Sequence, residues 1–269
     1  MRSILLLLAC CWLLSTPLYA QSVKPLLLPL TVDQGLSRGT VQRLYLDREG
    51  FLWIATSNGL NRFDATRNVL VQSEQQNLTD LNFVQLLEDS KQRLWAASAD
   101  VGLFLLDKTS GRIELKLDLA AQEQLEMPVL TDVLEETPDQ LLLAINDAVY
   151  RYQTGNGTLQ RIFTMPALEG NNRVRQLWLH QQQLLIASNR GLFQLNTSSL
   201  QTKALLLPDA NGQGAMIRHL YAYQQQLYIA SSNSLLAMPL TALQNNNNAP
   251  IQTLLSDRVV MRIDRKSVV

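Results

Sequence analysis

The chain has 269 residues, of which 46% are hydrophobic and 17% are charged, and its 23 Lys and Arg balance its 23 Asp and Glu. This composition suits a folded core, excludes an intrinsically disordered protein, and lacks the basic block that a nucleic-acid-binding protein needs for phosphate contacts. With only 2 His and 2 Cys, most metal and catalytic schemes lack the side chains they require.

The first 20 residues have the parts of a secretory signal peptide. Arg2 supplies the positive charge, residues 4–14 form the apolar run, and Ala20 is a small residue at the expected cleavage point. The run is too short for a membrane anchor. The alternative, lipoprotein processing at Cys10, would leave an apolar stretch of only about six residues. Because Cys10 and Cys11 both lie in this segment, the mature chain is expected to be periplasmic, with a net charge of about −1 and no thiol chemistry.

After this segment, one apolar pentapeptide recurs five times. It occupies residues 52–56, 94–98, 141–145, 184–188 and 227–231, in steps of 42, 47, 43 and 43 residues. A strand-like run precedes each pentapeptide, and a turn and a second apolar stretch follow it. A fixed period of this size is typical of a repeat architecture.

The first repeat predicts a four-stranded unit. Residues 41–47 alternate apolar and polar side chains, which predicts an inner β-strand. The continuous apolar run around Trp53 predicts a second strand that is buried on both faces. Asn58-Gly59 predicts a two-residue hairpin turn with positive φ at both positions. The remaining strands are predicted at residues 60–64 and 68–72.

The same positions can be followed through the later repeats. The central residues of the second strands are predicted to form the core of each repeat: Trp53, Trp95, Leu142, Leu185 and Tyr228. The predicted turn residues are Gly50, Asn58, Gly59, Gly102 and Gly191. In the third and fifth repeats Ala148 and Ser234 replace the turn glycine, so the turn geometry there does not follow from the sequence.

A period of about 43 residues per four-stranded unit is that of a β-propeller blade. A helical repeat would need apolar residues at a spacing of 3.6 over ten or more residues, and the sequence lacks this pattern. We therefore predict an all-β fold, a β-propeller sensor domain over residues 21–269. Its blades are predicted at residues 36–77, 78–122, 123–168, 169–211 and 212–255, with a partial blade at 256–269.

The first repeat also carries a family resemblance. Leu36-Ser37, Val41, Leu46-Asp47, Gly50, Leu52-Trp53-Ile54-Ala55-Thr56, Gly59-Leu60 and Arg62-Phe63-Asp64 resemble the two-component regulator propeller repeat of bacterial sensor proteins. The resemblance extends over nearly the whole mature chain and weakens after the second repeat. It implies a seven-bladed propeller, commonly doubled, followed by an immunoglobulin-like β-sandwich, a membrane-crossing helix and a cytoplasmic output module. The implied output is most often a histidine kinase, and otherwise a diguanylate cyclase.

Both ends of the sequence match partial blades. Residues 26–30 occupy the place of a fourth strand, and residues 261–264 align with the inner-strand residues 44–47. Propellers close their ring by completing one blade from both chain ends. The sequence is therefore expected to be an N-terminal fragment with five complete blades and part of a sixth. A closed five-bladed ring is the alternative.

Few residues are candidates for a metal or catalytic site. His180 and His219 fall at different positions of their repeats, so they form no symmetric ring. Residues 209–214 are similar to a calcium loop but lack its downstream Glu, which favours a polar turn. Glu135 and Glu136 are adjacent at a strand end, whereas glycosidase carboxylates face one another across a substrate. We expect no catalytic residue, no metal and no cofactor.

Other polar residues are assigned to turns and loops. Asp47, Asp89 and Asp264 recur at one position and are predicted to accept hydrogen bonds from backbone N–H groups. The glutamine tracts at residues 181–183 and 224–226 are predicted to be inner hairpin turns. The asparagine tract at residues 245–248 is predicted to be a surface loop.

Two hypotheses of different classes account for this sequence. In the first, the chain is the non-catalytic, ligand-sensing module of a transmembrane signalling protein, a homodimer when intact. A small solute, with an oligosaccharide as one candidate, would bind the channel mouth or the loop-bearing face. In the second, the chain is a secreted enzyme such as a lyase, which would need a His or Tyr base beside a carboxylate or metal. A protein-docking scaffold is a further alternative.

Overall fold

In a computed structural model of the chain, the described residues are 29–73, 77–166, 172–206, 216–244, 251–256 and 260–263. The chain divides into two compact units, Met1–Leu30 and Thr31–Val269. Only residues 29 and 30 of the first unit are described, and they have no regular secondary structure. The predicted signal peptide and most of the predicted strand at 26–30 lie outside the described residues. No helix in the described part of the chain is long and apolar enough to cross a membrane.

The second unit contains five antiparallel sheets of four strands each among its described residues. Blade 1 comprises β1 (Val41–Leu46), β2 (Leu52–Thr56), β3 (Gly59–Phe63) and β4 (Asn68–Leu70). Blade 2 comprises β5 (Phe83–Glu88), β6 (Leu94–Ser98), β7 (Gly102–Leu106) and β8 (Ile113–Asp118). Blade 3 comprises β9 (Leu130–Thr137), β10 (Gln140–Ile145), β11 (Ala148–Gln153) and β12 (Leu159–Thr164).

Blades 4 and 5 repeat this pattern. Blade 4 comprises β13 (Val174–His180), β14 (Gln183–Ser188), β15 (Gly191–Asn196) and β16 (Thr202–Leu206). Blade 5 comprises β17 (Ile217–Tyr223), β18 (Gln226–Ser231), β19 (Ser234–Pro239) and β20 (Gln252–Ser256). Two short 3-10 helices, Val32–Gln34 and Leu240–Leu243, precede β1 and follow β19.

Each blade is a meander whose strands pair in chain order. The first strands of the blades, β1, β5, β9, β13 and β17, contact one another in that order and define the axis of the fold. This is the predicted β-propeller architecture. Among the described residues, β17 and β1 make no contact comparable to those between successive inner strands, so the five blades form an open series rather than a closed five-bladed ring.

The core lies between successive blades. On β6, Leu94 and Ala96 pack toward blade 1, whereas Trp95 and Ala97 pack toward blade 3, because successive side chains of a strand point to opposite faces. All five residues of β6 are buried, which is why its first four residues are apolar. Each large side chain buried in this way contributes roughly 1.5–3 kcal/mol to stability.

The outward faces of the end blades expose side chains that are buried elsewhere. Phe83 and Leu86 of blade 2 turn toward blade 1 and are 0% and 5% exposed, whereas Val41 and Leu44 at the same positions of blade 1 are 42% and 60% exposed. No described blade covers that face of β1. At the other end, Tyr228 points away from the core that blades 4 and 5 share. Trp53, Trp95, Leu142 and Leu185 are buried, but Tyr228 is partly exposed.

The outer hairpin of blade 1 differs from the prediction. Thr56 pairs with Gly59, so the two-residue loop is Ser57-Asn58 rather than Asn58-Gly59. Gly59 has a φ of 112°, but Asn58 does not have a positive φ, so the predicted turn type is wrong. The Thr56 hydroxyl closes the turn instead: it accepts a hydrogen bond from the Asn58 N–H at 3.1 Å and donates one to the Gly59 carbonyl at 3.0 Å.

The hydroxyl turn recurs in two later blades. Ser188 accepts a hydrogen bond from the Arg190 N–H at 3.0 Å and donates one to the Gly191 carbonyl at 2.8 Å. Ser231 makes the equivalent bonds to Asn233 and Ser234. In blade 3, where the strand ends in Ile145 rather than a hydroxyl residue, Asn146 adopts a φ of 54°. The sequence signal for this turn is a hydroxyl at the end of the second strand, three residues before the third strand begins. Ser98 of blade 2 lies four residues before Gly102, and its hydroxyl bonds to Asp100 instead.

The inner hairpins at the glutamine tracts are turns, as predicted. His180 pairs with Gln183 and Tyr223 pairs with Gln226, so each loop has two residues. Gln224 and Gln225 both have a positive φ, of 45° and 65°. The type of turn expected at the outer hairpins therefore occurs at an inner one, which matches the twist of the paired strands.

Candidate functional site

One position on the first strand of each blade carries a polar side chain that reaches the following chain segment around the axis. It lies opposite an alanine of the second strand and next to an irregularity in strand register. We call these five residues the axial belt: Arg43, Gln85, Asp132, Gln176 and His219. A β-bulge re-aims the side chains beside it, so each belt residue can leave the plane of its own sheet.

The belt links blades 1, 2 and 3 through side-chain hydrogen bonds. Arg43 Nε donates to Gln85 Oε1 at 3.0 Å, and Gln85 Nε2 donates to Asp132 Oδ1 at 2.5 Å. Asp132 Oδ2 then accepts a hydrogen bond from the Leu177 N–H of blade 4 at 2.8 Å. Asp132 is therefore the junction of three successive blades.

Asp132 is buried, and its burial has an electrostatic consequence. Burial raises the pKa of this carboxyl group. The rise is opposed by the hydrogen bonds from Leu177 and Gln85, the charge of Arg43 and the hydrogen bond from the Val133 N–H. All of its hydrogen-bond partners are donors, so the carboxyl group acts only as an acceptor here. A group held in this way organises the blades around it and does not offer a free base.

The belt continues through blades 4 and 5. Gln176 Oε1 accepts a hydrogen bond from the Leu220 N–H at 2.8 Å, and Gln176 Nε2 donates to the Leu220 carbonyl at 3.3 Å. His219 Nδ1 accepts a hydrogen bond from the Ile263 N–H at 3.3 Å. This last bond requires an imidazole that is unprotonated at Nδ1. His219, which the sequence left as an isolated histidine, thus ties blade 5 to the next segment of the chain.

The surroundings of His219 keep it neutral. Burial, followed by the positive charges of Arg262 and Arg43, lowers its pKa from 6.5 to about 4. In the unfolded chain the imidazole binds a proton near its ordinary pKa, whereas in the folded protein it does so only near pH 4. The contribution of His219 to the free energy of unfolding is therefore fully present above pH 6.5 and is lost as the pH falls from 6.5 toward 4.

We expect this loss to be about 1–2 kcal/mol, less than the complete shift implies, because the imidazole is only partly buried. Urea denaturation at several pH values between 7 and 4 measures it. His219→Gln keeps a hydrogen-bond acceptor but does not titrate, so the variant should lose less stability than the wild type over this range. His180→Gln is the control. Parallel pH profiles for the wild type and His219→Gln would contradict the assignment.

The recurring aspartates have the turn role that the sequence predicted. Asp89 Oδ1 accepts hydrogen bonds from the N–H groups of Lys91 and Arg93, at 3.0 and 2.9 Å. Its other oxygen accepts the Trp95 indole N–H at 2.8 Å, a contact that the sequence analysis missed. Asp47 and Trp53 repeat this contact in blade 1 at 2.7 Å. An Asp six residues before a Trp is its signal. Asp264 lies outside the described residues.

The remaining predicted candidates do not converge. Glu135 accepts hydrogen bonds from the backbone and hydroxyl of Ser90 in blade 2, whereas Glu136 forms a two-bonded ion pair with Arg151 at 2.6 and 2.7 Å. The ring of His180 stacks on Trp178 at 5.7 Å. No group of three His, Cys, Asp or Glu side chains in the described part of the chain could hold a metal. Residues 209–214 and 245–248 lie outside that part.

Two cavities lie on the outer strands of blades 1 and 2, with volumes of about 510 and 530 Å³. Two of their cationic groups, Arg62 and Lys108, have partners in the neighbouring blade or turn. Arg62 lies over the Phe51 ring at 4.7 Å and donates to the Lys108 carbonyl at 3.0 Å. Lys108 Nζ lies 3.0 Å from Glu49 and 2.9 Å from Glu88. Arg62 and Lys108 thus help to join blades 1 and 2. The axial belt is the stronger candidate site because it gathers polar side chains from all five blades around one axis.

Comparison with known proteins supports the family resemblance. A family model described as two component regulator propeller matches residues 35–58, which include Asp47, Gly50 and Trp53. No curated protein is a significant match to this chain. The chain thus carries a two-component regulator propeller repeat.

Solved structures with similar folds include extracellular domains of regulatory systems and an enzyme. The extracellular domain of BT3049 from B. thetaiotaomicron, named as a hybrid two component system, matches with a TM-score of 0.64 and 20% identity, over 84% of this chain and 31% of its own. The extracellular domain of BT4673 from the same organism, named as a one component system, matches with a TM-score of 0.61 and 17% identity, over 81% and 28%.

Virginiamycin B lyase from Staphylococcus aureus matches with a TM-score of 0.59 and 14% identity, over 79% of this chain and 69% of the lyase. At these identities, the likeness establishes a propeller fold and no activity. The chain spans less than a third of the length of the two extracellular domains, at 31% and 28%.

Proposed function

We propose that this chain, which carries a two-component regulator propeller repeat, is the ligand-sensing region of an exported signalling protein. The observation that carries this proposal is the axial belt, in which polar side chains link each blade to the next around a common axis. A solute bound at the axis would contact groups from several blades at once. Binding there would therefore change how neighbouring blades sit against each other.

Signalling by such a device requires two states of the propeller with different affinities for the solute. The belt supplies discrete contacts that can be made or broken, such as the pair of bonds between Gln176 and Leu220. In the intact protein, we propose that the change is passed across the inner membrane to an output module within a homodimer. A histidine kinase is the output that the repeat family favours, and a diguanylate cyclase is the next.

A secreted lyase is the second candidate, because a lyase has a similar fold. Such an enzyme needs a base beside a carboxylate or a metal. His180 stacks on Trp178, and His219 accepts a backbone N–H bond. Asp132 is occupied by three donors. The sensing function therefore fits the described residues better.

A thermal-shift screen of the chain against sugars, sugar acids and amino acids tests the proposal. A solute present at one hundred times its Kd should stabilise the chain by about 2.7 kcal/mol. For the solutes that do so, we expect Arg43→Gln to weaken binding at least about tenfold, or about 1.4 kcal/mol, because Arg43 lies in the axial belt. Arg62→Gln, in the outer cavity, should change affinity less than about twofold. The reverse order, or no stabilising solute, would contradict the proposal.

A further inference from the structure

Two arginines occupy equivalent positions on neighbouring inner strands. Arg175 on β13 and Arg218 on β17 are each the extra residue at the register irregularity that precedes the belt residue. The two strands contact each other along the axis. Arg175 and Arg218 are therefore placed side by side at the end of the axis where the inner strands begin.

A third arginine joins them through a turn of blade 4. Arg175 Nε donates a hydrogen bond to Asn189 Oδ1, and the Asn189 N–H donates to the Arg173 carbonyl at 3.0 Å. Asn189 belongs to the loop between β14 and β15. One loop thus fixes both the backbone of Arg173 and the side chain of Arg175 at the same end of the blade.

Their positions on adjacent strands bring these arginines near one another. Arg175 is an exposed residue, but partial desolvation of its guanidinium lowers the pKa of that group, and the positive charges of Arg218 and then Arg173 lower it further. In addition, Arg218 Nε is buried and has no hydrogen-bond partner. Clustered like charges and an unused buried donor both cost free energy, and a bound anion would remove both costs.

We propose that Arg173, Arg175 and Arg218 form a binding site for a small solute that carries a carboxylate, sulfate or phosphate group. Guanidinium groups suit such anions because each presents paired N–H donors in a planar fork. The site lies beside Gln176 and His219 of the axial belt. The inference rests on the proposed sensing function and adds a chemical class of ligand to it.

Isothermal titration calorimetry of the chain tests the site with sodium sulfate, sodium galacturonate and neutral galactose, each in the same chloride buffer. We expect at least one of the two anions to bind with a Kd in the millimolar range or below. Arg175→Gln with Arg218→Gln should weaken that binding at least tenfold. Arg48→Gln with Arg67→Gln removes the same charge from exposed positions of blade 1, and it should change the Kd less than twofold.

A conservative variant separates geometry from charge. Arg175→Lys with Arg218→Lys keeps both charges, so it should bind more tightly than the glutamine pair and more weakly than the wild type. Circular dichroism and thermal melting confirm that each variant is folded. The site would be overturned if both anions bound with equal affinity to the double variant at Arg175 and Arg218 and to the control double variant at Arg48 and Arg67. It would also be overturned if neither anion bound the wild type. Galactose binding without binding of either anion would overturn the anion site while leaving the proposed sensing function intact.

Discussion

Replacing Asp89 with alanine is expected to lower the free energy of unfolding by about 3–5 kcal/mol. Asp89 is 0% exposed, and its carboxylate has four donors. These are the backbone N–H groups of Lys91 and Arg93, Arg93 Nε at 2.6 Å and the Trp95 indole N–H at 2.8 Å. Alanine would leave the buried indole donor and part of the turn without an acceptor.

Urea denaturation followed by tryptophan fluorescence measures this loss. Asp89→Asn keeps one oxygen acceptor but places an NH2 group against the donors of the other oxygen, so it should recover only part of the loss and cost about 2–3 kcal/mol. Asp107→Ala is the control, since Asp107 also accepts N–H bonds in a turn, from Thr109 and Ser110, but lies at the surface. It should cost only a small fraction of the Asp89→Ala effect. Equal losses for Asp89→Ala and Asp107→Ala would show that the buried contact is unimportant.

Gly102→Ala is expected to destabilise the chain by at least about 3 kcal/mol. Gly102 begins β7 with a φ of 141°, a conformation that residues with a side chain rarely adopt. A Cβ atom there would lie 2.0 Å from the Leu117 carbonyl oxygen of β8. Because the clash is with backbone, the pairing of β7 with β8 would have to shift.

Gly50→Ala is the matched control. Gly50 also has a positive φ, of 90°, but an added Cβ atom would meet nothing within 4 Å. Only the cost of the left-handed conformation then applies, about 1 kcal/mol. Thermal and urea unfolding of both variants measure the difference. A Gly102→Ala protein as stable as the Gly50→Ala protein would contradict the close packing of β7 against β8.

Much of the fold follows from the sequence because its strongest features are repeated. The apolar pentapeptides became β2, β6, β10, β14 and β18, since the central positions of a strand buried between two blades must be apolar on both faces. Asp47 and Asp89 could be assigned to turns because they recur at one position. The burial of Tyr228 could not be predicted, because it depends on the blade that covers its face.

The axial belt could not be found by searching for a repeated residue. Its members are Arg, Gln, Asp, Gln and His, so the repeated feature is a hydrogen-bonding position rather than a residue type. The residues at the register irregularity beside each belt member also differ from blade to blade. The outer hairpin was mispredicted for a related reason: Asn58-Gly59 matches a common turn, but the Thr56 hydroxyl shifts the loop by one residue.

Hydrogen–deuterium exchange of the chain shows whether a solute binds at the axis. The exchange is measured with and without the solute that stabilises it most in the thermal-shift screen. We expect slower exchange in the inner strands, on which the axial belt lies: β1, β5, β9, β13 and β17. Slower exchange confined to β4 and β8, which line the outer cavity of blades 1 and 2, would contradict binding at the axis.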